Sequence, residues 1–171
     1  MKTLLLIRHA KSSWEDSRLD DHERPLNHRG KDNAPRMAAR LQELGIKPDA
    51  LISSTARRAA TTAQVFADHL DFPRDKILFE ADLYLASVGI LQEIIGKIED
   101  TFHTVLIFGH NPGLTLLVSQ VWGLPIGNLP TCGIVSLNFE SFTWAEASSR
   151  LPKKADFDFP KNSSPPISFS K

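Results

Sequence analysis

Residues 4–14 read LLLIRHAKSSW, and the break inside this stretch decides the architecture. Leu4, Leu5, Leu6 and Ile7 form a continuous apolar run of strand length, the pattern of a strand covered on both faces. Such a strand belongs inside a mostly parallel sheet, because parallel neighbours are joined by crossovers that lay helices over both faces. The run stops abruptly at Arg8–His9, so a guanidinium and an imidazole project from the end of a buried strand. Ligands of open parallel sheets bind beyond the carboxyl ends of the strands, which makes that position informative.

Outward from this first strand, Thr3–Ile7, the same alternation repeats. A polar stretch from Ser12 to about His28 precedes RGKDNAPRMAARLQELG, where Met37, Leu41 and Leu44 fall at helical spacing. Pro35 is expected in the early turns of that helix and Gly45 at its stop. DALIS reads as a second strand, and TARRAATTAQVFADHL as a second helix with Ala59, Ala63, Phe66 and Leu70 on one stripe. KILFE and VGILQEIIGKI repeat the pair, as do TVLIF and GLTLLVSQVW. The expected fold is α/β, a three-layer α/β/α sandwich around a mostly parallel sheet. After Gly133 the rhythm changes: GIVSLNF and TWAEAS follow closely with no helix between, which predicts an antiparallel hairpin at a sheet edge near the C-terminus. One domain over residues 1–151 is expected, followed by a Pro/Ser/Lys-rich extension over 152–171 that hugs the surface or is disordered.

With 171 residues, 42% of them hydrophobic, one core can form; a chain of this length buries roughly 70% of its unfolded surface. Twenty basic side chains balance twenty acidic ones, so charge gives no pull toward nucleic acid or anionic membrane. Cys132 is the only cysteine, which excludes a disulfide framework and cysteine-based zinc spacings. No apolar stretch nears the ~18 residues of a membrane span, and the first residues lack the order of a signal peptide. These features predict a soluble, cytoplasmic protein.

The strand ends supply the candidate chemistry. The second expected strand ends at Ser53–Ser54 and leads into Arg57–Arg58; the fourth ends at Gly109–His110 and enters a helix through Asn111–Pro112–Gly113. Two histidines and several arginines therefore converge on one sheet edge. Arginine's planar fork matches phosphoryl oxygens bidentately, and imidazole is a covalent nucleophile. A phosphohistidine intermediate on His9, with arginines neutralising the equatorial oxygens, is the expected chemistry. His22, His28, His69 and His103 lie in polar segments or helix ends and receive no role. The acidic stretch EDSRLDDHE reads as a solvated loop; it lacks the glycine of a calcium loop, and no metal or other cofactor is expected. Ser13 and Ser53 have no nucleophile elbow around them, and RHAKSSW is no glycine-rich dinucleotide loop.

Taken together, LIRHAKSSW, DHERPLNHRG, SSTARRAATTA and GHNPGL resemble the histidine phosphatase (phosphoglycerate mutase-like) superfamily, and within it the SixA-type protein-phosphohistidine phosphatases. The resemblance runs from residue 2 to about residue 145, and the four motifs occur in the family's order. It implies that His9, in the Arg8–His9–Ala10 counterpart of the RHG motif, is the nucleophile and that Arg8 binds phosphate. In the S-x-x-x-R-A-x-x-T-A segment, Ser54, Ala59, Thr62 and Ala63 match, so Arg58 rather than Arg57 is the second phosphate arginine, a choice the residues alone leave open. His110 matches the second catalytic histidine, with the Asn111 backbone N–H a candidate donor to phosphate. Arg24, in the Arg-Pro-Leu segment, matches a basic position near the pocket mouth, and Ser54 joins the substrate-binding set.

One departure bears on substrate. Ester-cleaving members of the superfamily carry a general acid in a Leu-x-Glu context, whereas this chain has Leu83–Tyr84–Leu85. An alkoxide needs a proton on leaving, a contribution of about 10²–10⁴ in rate. An imidazole whose other nitrogen is protonated leaves without that help. Phosphohistidine in a protein is therefore the expected substrate. Only about twenty residues separate the first strand from its helix, so an open site suited to a protein-borne side chain is expected. The alternatives are a small-molecule phosphomonoesterase with Glu80 or Asp82 as acid, and a non-catalytic phosphoryl-binding module, which the full set of two histidines and two arginines disfavours.

Overall fold

In the computed structural model, which describes residues 1–170, the opening run forms strand β1 (Lys2–Arg8) at the centre of a seven-stranded sheet. The other strands are β2 (Ala50–Ser53), β3 (Leu78–Phe79), β4 (Thr104–Gly109), β5 (Ile134–Phe139), β6 (Lys154–Asp158) and β7 (Ile167–Ser170), in spatial order β3-β2-β4-β1-β5-β6-β7. β1 to β4 are mutually parallel, while β5, β6 and β7 join antiparallel.

β1 explains the layers. Its side chains alternate between faces: Leu5 and Ile7 pack with Met37 and Phe66 of helices α1 (His28–Glu43) and α2 (Arg57–His69). Leu4 and Leu6 pack with Leu91 of α3 (Val88–Gly96) and Leu114 of α4 (Gly113–Leu116). The three-layer sandwich and its antiparallel edge thus match expectation. α4 continues through Val121 as a wider π-turn that still buries Leu117 and Val118.

Local details differ. Pro35 falls in the middle of α1, and Leu44, expected on the buried stripe, is exposed at the helix end just before Gly45, whose φ of +71° stops the helix. The third strand shrinks to two exposed residues. TWAEAS is not a strand: Thr143 accepts from the Glu146 N–H and caps a short helix, α5 (Trp144–Ala147), so the hairpin partner of β5 is β6.

The expected surface-hugging or disordered tail carries two strands. Ala155 and Phe157 alternate onto the larger core, and Arg40 of α1 bonds Asp158 at 3.1 Å and the carbonyls of Phe159 and Asn162. Those partners come from a distant helix, which tail composition cannot reveal. Lys171 lies outside the described residues. Among the described residues no helix is long and apolar enough to cross a membrane.

Candidate active site

The site begins as register. Arg8 of β1 pairs with Gly109 of β4, and the next N–H, that of His9, donates to Gly109 O at 3.0 Å. Ser53 of β2 pairs with Phe108, and Ser54 N donates to Phe108 O at 3.0 Å. His9, His110 and Ser54 therefore leave three adjacent strands at one level. The imidazole centroids of His9 and His110 stand 5.1 Å apart.

His9 Nδ1 donates to Ala10 O at 2.7 Å, which leaves Nε2 without a proton. Arg58 Nε lies 3.4 Å from that nitrogen. Burial, followed by the charges of Arg58, Arg8 and Arg24, pulls the His9 pKa down to about 3. His110 is likewise held to about 3 by burial and then by His9 and Arg58. Both rings are neutral at physiological pH.

The surrounding chain fixes these groups. Thr62 of α2 accepts from Ala10 N at 3.0 Å and donates to Arg58 O at 2.7 Å, which couples the residue after His9 to the helix bearing Arg58. Arg57, one residue earlier, is exposed, so the structure distinguishes the two arginines. Cys132, at φ +60°, donates its N–H to Arg8 O and His9 O and clamps the end of β1. Burial pushes its thiol up to about 12, so it is no thiolate nucleophile.

Arg8 donates to Leu129 O at 3.1 Å, and its Nε is buried with no partner. His110 Nδ1 is buried and unpartnered too. Ser54 Oγ sits 2.7 Å from His110 Nε2 and accepts from Ala56 N at 3.2 Å. Where the Ser54 hydroxyl donates to Nε2, Nδ1 is the protonated nitrogen of His110. Two buried N–H donors are thus left without acceptors, an arrangement whose cost a bound anion removes.

Arg24 donates to Ser13 O at 2.9 Å, Ser12 Oγ at 2.6 Å and Asp21 Oδ1 at 2.9 Å, and its guanidinium stacks 3.2 Å over Trp14. Its segment is fixed by Asn27, which caps α1 by accepting from Gly30 N and donates its own N–H to Lys11 O. The Asn111 side chain is consumed locally, donating to Leu129 O and accepting from Thr115.

Asp21 is the residue sequence reasoning missed. It lies within the stretch expected to be a solvated loop, yet Oδ2 accepts from Arg58 at 2.9 Å and from the Tyr84 hydroxyl. Its backbone carbonyl accepts from Arg58 at 2.6 Å. Tyr84, Arg58 and Arg24 hold its carboxyl well below the usual range, and it is ionised. Tyr84 in turn sits edge-on to His110 at 5.4 Å and to His22 at 5.0 Å. The three-residue Asp21–Arg24 spacing was visible; the link to Arg58 was not.

These contacts set the exposure of the site residues. His9, Arg58 and His110 are 7%, 3% and 3% exposed, and Asp21, from the short segment after β1, bonds Arg58 at 2.9 Å. Glu80 and Asp82 stand elsewhere: Glu80 caps its own turn by accepting from Asp82 N, and neither bonds a residue of the site. Among the described residues no three His, Cys, Asp or Glu side chains cluster as metal ligands.

The profile of the histidine phosphatase superfamily (branch 1) matches residues 4–84. An uncharacterized chloroplastic protein of Arabidopsis thaliana is 34% identical over 154 residues, 85% of this chain and 70% of that protein. The structure named for the phosphohistidine phosphatase SixA of Agrobacterium tumefaciens superposes with a TM-score of 0.72 at 26% identity, covering 80% of this chain and 90% of that one. The structure of the protein histidine phosphatase SixA complexed with tungstate shares the fold, with a TM-score of 0.75 at 21% identity over 92% and 94% of the two chains.

Proposed function

The chain belongs to the histidine phosphatase superfamily, and from that premise we propose that this phosphatase removes the phosphoryl group of phosphohistidine in a protein through a covalent intermediate on His9. The observation that carries the reading is the state of His9: Nδ1 is tied to Ala10 O, and Nε2 is a bare lone pair beside Arg58.

In the proposed reaction His9 Nε2 attacks phosphorus, and the bond from phosphorus to the substrate nitrogen breaks with its electron pair going to the departing imidazole. Arg8 and Arg58 neutralise the equatorial oxygens, and His110 Nδ1–H donates to one of them. The otherwise orphaned Arg8 Nε gains an acceptor in the same step. Ser54 acts through His110 by fixing its tautomer, the Asn111 backbone N–H is a further phosphoryl donor, and Arg24 holds the mouth. Water then attacks phosphorus, the bond from phosphorus to His9 Nε2 breaks with its electron pair returning to that nitrogen, and the protons of the water leave with the phosphate.

The missing general acid supports the phosphohistidine substrate: Leu85, at the position that the resemblance assigns to the glutamate of ester-cleaving members, is exposed, and Glu80 and Asp82 bond no site residue. The SixA names of the similar structures point the same way. The test is phosphate release from a phosphohistidine protein and from an alkyl phosphate, for wild type and His9→Ala. Turnover confined to phosphohistidine and abolished by His9→Ala is expected; comparable ester turnover would overturn the substrate assignment.

A further inference from the structure

We infer that the Asp21 carboxylate determines substrate specificity on the leaving-group side of the site, accepting a hydrogen bond from the N–H of a departing nitrogen heterocycle and so favouring N-phosphorylated substrates over phosphate esters. The inference rests on the phosphohistidine reading above.

Position carries the first part. The Asp21 side chain is 41% exposed, whereas that of Arg58, which it bonds, is 4% exposed and reaches His9 Nε2. Asp21 thus lies on the solvent side of the line from His9 through Arg58. A phosphoryl group attacked by His9 must sit inside, with its leaving group outward, toward the carboxylate. Among the described residues Asp21 is the only carboxylate hydrogen-bonded to Arg58, Arg24 or Tyr84.

Charge carries the second part. A phosphoryl dianion claims Arg58, so the contact from Arg58 to Asp21 weakens when substrate binds. Arg24 and the Tyr84 hydroxyl still hold the carboxylate in place. A fixed anion beside a dianion repels a phosphate ester, whose leaving oxygen gathers negative charge. The same anion attracts phosphohistidine with its distal nitrogen protonated, where it gains an N–H to accept and offsets the cation. Selectivity then comes from repulsion of one class together with attraction of the other. Asp21 is ionised and receives a hydrogen bond, so it acts as an acceptor and no proton leaves it.

The experiment compares kcat/KM for phosphoimidazole and for an alkyl phosphate in wild type and Asp21→Asn. The expected result is a fall of about tenfold to a hundredfold in the ratio of phosphoimidazole to ester kcat/KM, because a charged hydrogen bond to the leaving group is lost and the repulsion of the ester with it. Equal losses on both substrates would reduce Asp21 to a holder of arginines; equal gains, or no change, would reduce it to a plug. Either overturns the inference. If Asp21→Asn does not fold, wild type alone decides: phosphoimidazole should exceed its distal N-methyl analogue by about tenfold once each is divided by its uncatalysed hydrolysis, and parity overturns the inference. Absence of any phosphoimidazole turnover in wild type would instead sink the function proposed above, and the two failures are distinguishable.

Discussion

His9 Nε2 and Arg58 Nε lie 3.4 Å apart, a bare imidazole nitrogen against a guanidinium N–H. The pairing leaves this nitrogen unprotonated and, in the proposed reaction, puts a stabilising charge within reach of the phosphoryl group that it attacks. Arg58 holds this place because Thr62 couples its helix turn to Ala10, and because Asp21 takes the outer edge of the guanidinium.

Arg58→Ala is expected to lower kcat on phosphohistidine by about 10²–10³, the cost of one donor to developing charge. Arg58→Lys should recover little, since an ammonium cannot serve His9, Asp21 and phosphate from a planar fork. Steady-state kinetics check this, and full activity in Arg58→Lys would argue for a simple point charge.

Stability should fall with acid. His9 and His110 sit near 3 in the folded protein and near 6.5 when exposed, so the unfolded chain takes up protons first as pH drops. Their contribution is complete above about pH 6.5 and is lost progressively as pH falls toward about 3. Asp21, also depressed, adds to the loss only below the ordinary carboxylate range. Urea unfolding across this window should steepen with falling pH, and His110→Gln should flatten the slope.

Ser54→Ala removes the 2.7 Å contact to His110 Nε2. The expected effect is a drop in kcat of about tenfold, from a lost hydrogen bond of about 1 kcal/mol and a less fixed tautomer. Nitrogen NMR of the ring should show Nδ1–H in wild type and a mixture in the variant; an unchanged tautomer would assign Ser54 to the turn alone.

A Cβ at Gly30 would lie 2.2 Å from Lys11 O, a backbone atom that cannot swing aside. Gly30→Ala should therefore cost about 1–3 kcal/mol and displace the chain after His9. Denaturation and kcat should fall together; a stable, fully active variant would mean that α1 shifts freely.

The sandwich was legible because the β1 run and the amphipathic stripe of α2 each encode both neighbours locally, and strand ends then gathered Arg8, His9, Ser54 and His110. Arg58 needed the resemblance, since two adjacent arginines differ only in which one the helix turns inward. Asp21 and Tyr84 were hidden for another reason: their partners lie 37 and 63 positions away along the chain. Within its own segment Asp21 is indistinguishable from a solvated acid. The same applies to β6, whose anchoring arginine is on α1, whereas the Thr143 to Glu146 cap of α5 was local and readable.

Trapping the phosphoryl group identifies the nucleophile. Enzyme mixed with a phosphohistidine protein and quenched within a turnover should carry an acid-labile phosphoryl group on His9, localised by mass spectrometry to the peptide containing Arg8–His9–Ala10. A phosphoryl group found on His110, or turnover with none trapped on the chain under conditions that slow its hydrolysis, would mean that His9 is not the nucleophile.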